Sequence, residues 1–375
     1  MPRLLFIVGL LLGCGRAPDA SPPVSPTGGQ VPLQFAKGFR IEKRGSVRVV
    51  TVSNSWKPGT ERRYVLVPKG ASVPPEFAAS EIVRTPIGRF AAMSTTHLSA
   101  FDELGRLGDL VGFSDVKYVN NPKVREGFAS GRIAAIGSGG SSSTERIASL
   151  GCEVLFASDF SEDAPERADV LRRLGVQVVS VAEFGEDHPL GRAEWIRFFA
   201  AFFDEDEKAT RLFQLQAREY ERLSKLAAKT TRRPTVLLNA PFGGAWHVPG
   251  GKSHAARLLA DAGADYLWKD VDSAGSLPLQ FEAVFAKGAE ADFWLNPGQW
   301  NSLSAAKAED GRYARFAPFR KGNVFNSNLQ KSPDGGTDYW ETGVNHPERV
   351  LADLIAIFHP ESLPDHRMNW YRKLP

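Results

Sequence analysis

A run of small residues, Gly137-Ser138-Gly139-Gly140-Ser141-Ser142, follows the apolar segment RIAAI and precedes TERIASL. A glycine-rich turn between a strand and a helix can present backbone N–H groups to phosphate, and Asp159 falls about where an acid would meet a ribose hydroxyl. That chemistry would be an exported nucleotide-dependent oxidoreductase using the loop from Gly137 to Ser142. The match is incomplete: Ser142 replaces the third glycine, and the loop lies well inside the alternating region instead of at its first strand. Pro249-Gly250-Gly251-Lys252-Ser253 ends like a P-loop, but Trp246 stands where the first glycine is required. The seven histidines are scattered, with no pair at i, i+4 enclosing an acid, and no Ser-His-Asp set can be named. His247 beside Trp246, between glycine-containing turns, is a candidate ligand contact. Trp294, Trp300 and Trp340 near strand ends have the flat faces that stack on a planar ligand. Cys152 is the one thiol besides Cys14, so neither an internal disulfide nor a zinc spacing arises; it reads as a buried small hydrophobe.

The elements that would position these residues follow from periodicity. From about residue 86 strand-like and helical segments alternate, which predicts parallel, doubly wound sheets. The alternation is interrupted at 188–230. There Trp195, Phe198, Phe199, Phe202 and Phe203 recur on one helical face. Asp204 and Glu207 have capping-box spacing, and Leu212, Leu215, Leu223 and Leu226 would stripe a second, longer helix ended by TTRRP. We expect these helices to form a rigid spine between an N-terminal lobe (86–187) and a C-terminal lobe (231–375). Residues 31–85 read as a β-rich extension, with SVRVVTV and RRYVLVP alternating around turn signals. At the start, Arg3 precedes LLFIVGLLLG and Cys14, a signal-peptide pattern too short to span a membrane stably. Residues 15–30 are rich in Pro, Ser and Gly and suit a flexible tether. A formal net charge of +3 with no basic block argues against nucleic acid as a partner.

Leu11-Leu12-Gly13-Cys14 resembles the bacterial lipobox, in which the cysteine is lipidated. This feature, the two alternating regions and several long strings resemble the substrate-binding lipoproteins of ABC importers of the iron-chelate and vitamin B12 type. The strings are Leu110-Val111-Gly112, Thr144-Glu145-Arg146-Ile147, GRAEWIRFFAAFF, WHVPGGKS, DAGADYLWKD, LPLQFEAVF, DFWLNPGQW, DYWETGVNHPERVLADLIAIFHPE and WYRKL, from about Gly88 onward. The resemblance implies a class III periplasmic binding protein: two Rossmann-like lobes joined by a long helix, no enzyme activity and no cofactor. It implies a monomer in the periplasm or at the cell surface that holds a metal chelate in the interlobe cleft. Ferric siderophore comes first among such chelates, with cobalamin or haem as alternatives. It further implies permease subunits with a cytoplasmic ATPase as partners, gripped by one glutamate per lobe, Glu145 and Glu282 by motif. Aromatic cleft positions of the B12-binding members correspond here to Gly139, Ser158 and Ser276. The expected ligand contacts are therefore Tyr118, Ser138, Gly139, Ser158, Trp246, His247, Ser276 and Trp300, with Lys117, Lys252 and Arg320 as cations for an anionic chelate and His247 or Tyr118 for haem.

Overall fold

The computed structural model describes residues 29–53, 59–138, 143–158 and 164–375. The N-terminal sheet has β1 (Phe39–Arg44), β2 (Val47–Ser53) and β3 (Glu61–Pro68) antiparallel, with β4 (Ile82–Thr85) parallel to β3. Side chains alternate across a strand, and both faces here are apolar. Phe39, Ile41, Val50, Val52, Tyr64 and Leu66 enter the main core, while Val47, Val49, Val65 and Val67 form a second small core with Phe77.

The N-terminal lobe is a parallel sheet in the order β7-β6-β5-β8-β9. Its strands are β5 (Phe90–Ala92), β6 (Leu110–Phe113), β7 (Ala134–Ala135), β8 (Val154–Ala157) and β9 (Gln177–Ser180). Parallel neighbours need crossovers, supplied by α1 (Leu98–Leu104), α2 (Pro122–Ala129), α3 (Thr144–Ser149) and α4 (Ala164–Arg173). The order reverses at β5, which creates a switch point where the loops on either side part.

Three helices follow: α5 (Pro189–Glu194), α6 (Ile196–Phe203) and α7 (Asp206–Ala227). Helix α6 is apolar nearly all round and buried except at Arg197. Phe199, Phe202 and Phe203 interlock with Phe90, Phe101 and Phe156, ring centroids 4.9 to 6.3 Å apart, and Phe198 packs on Phe39. It is thus core of the N-terminal lobe, and α7 alone is the long crossing helix. The expected capping box does not form. Asp204 takes a left-handed conformation that closes α6, and its carboxylate pairs with Arg48 of β2 instead of capping α7. The stripe on α7 is also rotated from the leucine pattern. Ala209, Phe213, Gln216, Ala217, Tyr220, Leu223 and Ala227 are buried, whereas Leu215 is 60% exposed.

The C-terminal lobe has the order β13-β10-β15-β16-β17, parallel but for β17. It contains β10 (Thr235–Leu238), the hairpin β11 (Pro241–Phe242) and β12 (Ala245–Pro249), α8 (His254–Asp261), β13 (Asp265–Tyr266) and β14 (Ser276–Leu279), which pairs with β12. Then come α9 (Phe281–Gly288), β15 (Phe293–Leu295), α10 (Leu303–Glu309), α11 (Ala317–Arg320), β16 (Val324–Asn326), α12 (Pro347–Phe358) and β17 (Arg372–Lys373). Helix α7 packs on α6 and on α12, and Tyr220 donates to Asp261 of α8 at 2.8 Å, so one helix carries contacts to both lobes.

Ahead of β1 the chain forms a strap fixed by two buried glutamates. Glu194 of α5 accepts the backbone N–H groups of Gln34, Phe35 and Ala36 at 2.8 to 3.1 Å. Glu186 accepts those of Lys37 and Gly38 and the Trp195 indole, at 2.8 to 3.1 Å. Residue 38 must be glycine, because a Cβ there would sit 2.9 Å from the Trp195 ring. Phe35 lies 4.8 Å from the His188 ring and 6.2 Å from Phe213 of α7.

Candidate functional site

In open α/β sheets ligands collect beyond the carboxyl ends of the strands. Here the loops leaving the carboxyl ends of β5 and β6 meet residues 332–346 of the C-terminal lobe along a seam. Glu341 accepts the backbone N–H groups of Asn120 and Asn121 at 2.6 and 2.7 Å, at the start of α2. Asn345 Nδ2 donates to the Thr96 carbonyl at 2.7 Å, and Ser332 Oγ to the Lys117 carbonyl at 3.0 Å. A Cβ on Gly336 would lie 2.6 Å from the Tyr118 Cα, so only glycine lets the two backbones approach. His346 Nε2 lies 2.7 Å from Glu103 of α1, crossing the same seam. Burial pushes the Glu341 carboxyl up to about 7, and Glu103 with Glu348 overcomes burial to raise His346 to about 9.

Several loops, at the seam or at the carboxyl ends of strands, carry exposed apolar side chains. Tyr118 follows β6, Phe242 and the turn Gly243–Gly244 follow β10, Leu329 follows β16, and Trp340 precedes Glu341. Their exposures are 55%, 82%, 45% and 54%. Phe242 and Leu329 went unrecognised in the sequence. The Phe-Gly-Gly of a two-residue hairpin was the available signal for Phe242, since glycines with positive φ put the preceding side chain at the tip. Asn239 and Asn296, at the carboxyl ends of β10 and β15, both adopt positive φ and turn the chain out of the sheet. Asn296 Oδ1 is buried and has no partner among the described residues.

The expected contacts divide. Tyr118, Ser138, His247 and Ser276 are exposed and Ser158 is half-buried at the end of β8. Trp246 and Trp300 are not cleft residues. Trp246 is wholly buried, stacks on Trp294 at 5.4 Å and donates to the Leu238 carbonyl at 2.8 Å. Trp300 is 5% exposed and donates to Glu309 at 2.7 Å. A buried indole N–H needs an acceptor, and each of these has one within its own lobe. Lys117 lies over the Tyr118 ring at 5.3 Å, whereas Lys252 pairs with Asp272 and Arg320 with Glu290. Gly139 to Ser142, Asp159 and Cys14 lie outside the described residues. Burial pushes the Cys152 thiol up to about 11, the behaviour of a packed side chain. Among the described residues no group of three His, Cys, Asp or Glu is placed to hold a metal ion.

Glu145 and Glu282 sit in the first turns of α3 and α9, one in each lobe. Glu145 is exposed, and its own backbone N–H and the Ser143 hydroxyl hold its carboxyl below the ordinary value. Glu282 is 78% exposed and lies 3.4 Å from Arg312.

Comparison with known proteins agrees with this architecture. Residues 91–316 match the model of the family described as periplasmic binding protein. An uncharacterized lipoprotein of Methanocaldococcus jannaschii is 24% identical over 364 residues, covering 91% of this chain and 85% of the relative. A periplasmic binding protein of Veillonella parvula superposes with a TM-score of 0.59 at 15% identity, over 83% of this chain and 98% of that one. A possible iron-binding periplasmic solute-binding protein of Staphylococcus epidermidis gives 0.56 at 14% identity, over 73% and 100%. A periplasmic haem-binding protein of Pseudomonas aeruginosa gives 0.55 at 19%, over 73% and 93%. With two parallel sheets joined by one long helix and a family match over more than half its length, this chain belongs to the periplasmic binding protein family.

Proposed function

We propose that the protein captures a metal chelate, an iron chelate such as a ferric siderophore or haem foremost, in the cleft between its lobes and delivers it to an ABC importer. The observation that carries this reading is the seam itself. Carboxyl-end loops of one sheet are held against the other lobe, with Tyr118 and Trp340 exposed on the segments that meet there and Phe242 exposed at the hairpin after β10. Ser138, Gly139, Ser158, His247 and Ser276 are assigned to the remaining ligand surface. Glu145 and Glu282 are the permease contacts, two carboxylates on separate lobes that arginines can grip. Lipidated Cys14 is the anchor, a reading supported by the lipoprotein relative.

Purified protein titrated with haemin, cobalamin, ferric citrate and a ferric trihydroxamate, followed by tryptophan quenching, should show saturable binding of at least one. No binding of any would sink the chelate reading. The double variant Glu145→Ala/Glu282→Ala should bind as the wild type does. Uptake into permease-containing vesicles should nonetheless fall about tenfold or more, since removing one side of a buried charge pair costs about 2–5 kcal/mol. Normal uptake by that variant removes the docking assignment.

A further inference from the structure

Two cations at the carboxyl edge of the C-terminal sheet stand on neutral partners. Arg372 opens β17 and pairs in register with Asn326, the last residue of β16; Lys331 lies five residues beyond that strand. Lys331 Nζ donates to Asn301 Oδ1 at 2.9 Å. Arg372 Nη2 donates to the same oxygen at 3.1 Å and to the Asn301 carbonyl at 3.2 Å, while its Nε reaches Asn328 Oδ1 at 2.7 Å. Asn301 itself belongs to the loop leaving β15. Among the described residues, then, the partners of both cations are amide oxygens. The acids of neighbouring loops are engaged elsewhere, Asp334 by Arg125 and Glu309 by the Trp300 indole.

This arrangement is costly as it stands. Two like charges that share one amide oxygen repel, and solvent around these half-exposed groups screens that repulsion only in part. Burial and the Arg372 charge together hold the Lys331 amine below its ordinary value. The backbone beneath both side chains is nevertheless fixed. Lys331 bridges to Thr337 across a tight turn. Wholly buried Asp353 accepts the backbone N–H groups of Asn369 and Trp370 at 2.9 Å, which fixes the segment leading into Arg372. Each cation keeps N–H donors to spare beyond those spent on Asn301 and Asn328. The next residue, Ser332, already touches Lys117 of the other lobe, and exposed Leu329 lies close in the chain, so the pair stands on the rim of the cleft.

We propose that Lys331, Arg372 and Asn301 form a carboxylate cradle that receives an anionic oxygen group of the ligand, so that the cleft selects chelates carrying free carboxylates over neutral ones. The selectivity rests on the reading of the cleft as a chelate site; the cradle itself does not. A carboxylate between two preplaced cations gains charge-assisted hydrogen bonds and cancels their repulsion at once.

The test compares ligands that differ in charge. Iron protoporphyrin IX is set against its dimethyl ester, and ferric citrate against the uncharged cyclic trihydroxamate ferrioxamine E, with wild type and Lys331→Gln. A separate arm follows the Lys331 side-chain resonance by NMR as metal-free citrate is added. Wild type should prefer the carboxylate partner of at least one pair by about tenfold, a preference that falls with added salt. Lys331→Gln should erase the preference while leaving the neutral ligands unaffected, and Arg372→Lys should reduce it. Citrate should shift the Lys331 resonance. Equal binding within the pairs, or equal weakening of both members in Lys331→Gln, overturns the proposal. If none of the four chelates binds while citrate still shifts Lys331, the chelate reading fails and the cradle stands; if citrate also leaves Lys331 unmoved, the cradle fails too.

Discussion

At the residue scale the strap shows how much two carboxylates can organise. Five consecutive amides, Gln34 to Gly38, end on Glu194 and Glu186, and Arg197 donates to Glu194 and to the Pro32 carbonyl at 3.0 and 2.8 Å. Glu194→Gln would remove the charge from the wholly buried partner of Arg197 and turn an acceptor-only group into one with two donors facing amides. Losing one member of a buried pair costs about 3–5 kcal/mol, so urea unfolding of Glu194→Gln should show a loss of about that size. A midpoint like that of the wild type would mean that the strap contributes nothing to stability. None of this was visible in the sequence, because acids at 186 and 194 and a plain stretch at 34–38 carry no local signal and meet only through long-range folding. The Trp246–His247 pair, by contrast, was misread for a reason the sequence does contain. Neighbours on a strand face opposite sides, so at most one of the two can face a ligand; β12 buries Trp246 and exposes His247.

At the scale of elements the alternation of strands and helices was legible, as was the placement of a long amphipathic helix between lobes. What periodicity missed was the side of α7 that is buried. Of the leucines at 212, 215, 223 and 226, Leu223 is buried, Leu212 and Leu226 are half-buried and Leu215 faces out, while Phe213, Ala217 and Tyr220 fill the core. Phe213→Ala should therefore cost about 3–5 kcal/mol, the usual loss for an aromatic core residue cut to alanine. Leu215→Ala should stay within about 0.5 kcal/mol. Thermal or chemical unfolding of the two variants checks the assignment, and the reverse ranking would place the buried face where the leucines suggested. The capping box failed for a related reason: Asp204 had a stronger partner in Arg48, 156 residues away in sequence, which no local pattern announces.

At the scale of the whole molecule the seam between the lobes is sensitive to protons. The Glu341 carboxyl is raised from 4.5 to about 7 by burial, with Asp338 adding to the effect and the amides of Asn120 and Asn121 opposing it. Separation of the lobes would return it to water. The joined state therefore holds this proton more tightly, and its advantage, present below about 4.5, is lost as pH rises to about 7. His346 follows the same sign. Burial opposes, but Glu103 across the seam and Glu348 on its own helix raise it from 6.5 to about 9; Arg349 contacts Glu348, and Gln216 of α7 faces the ring. Parting the lobes removes Glu103 but leaves Glu348, so the Glu103 share of the stabilisation is present while His346 is protonated and fades as pH rises toward about 9. Both groups thus loosen the seam in alkali. Distances between spin labels placed one per lobe should lengthen between pH 6 and pH 9, and Glu341→Gln should remove the lower part of the change. An unchanged separation would show that the seam does not open by titration.

The strap also decides where a mechanical load enters. A pull along the chain from its N-terminal side first meets the pairing of residues 29–31 with β1, where the Val31 N–H donates to the Ile41 carbonyl at 2.8 Å, and then Gln34 to Gly38, whose five amides share the load on Glu186 and Glu194. Glu186 lies three residues ahead of α5 and Glu194 closes it. Tension would be borne there and passed into the α5–α6 corner and, through Phe35 on Phe213, into α7, the helix that both lobes share. A molecule moored at that point is loaded at the junction of its lobes.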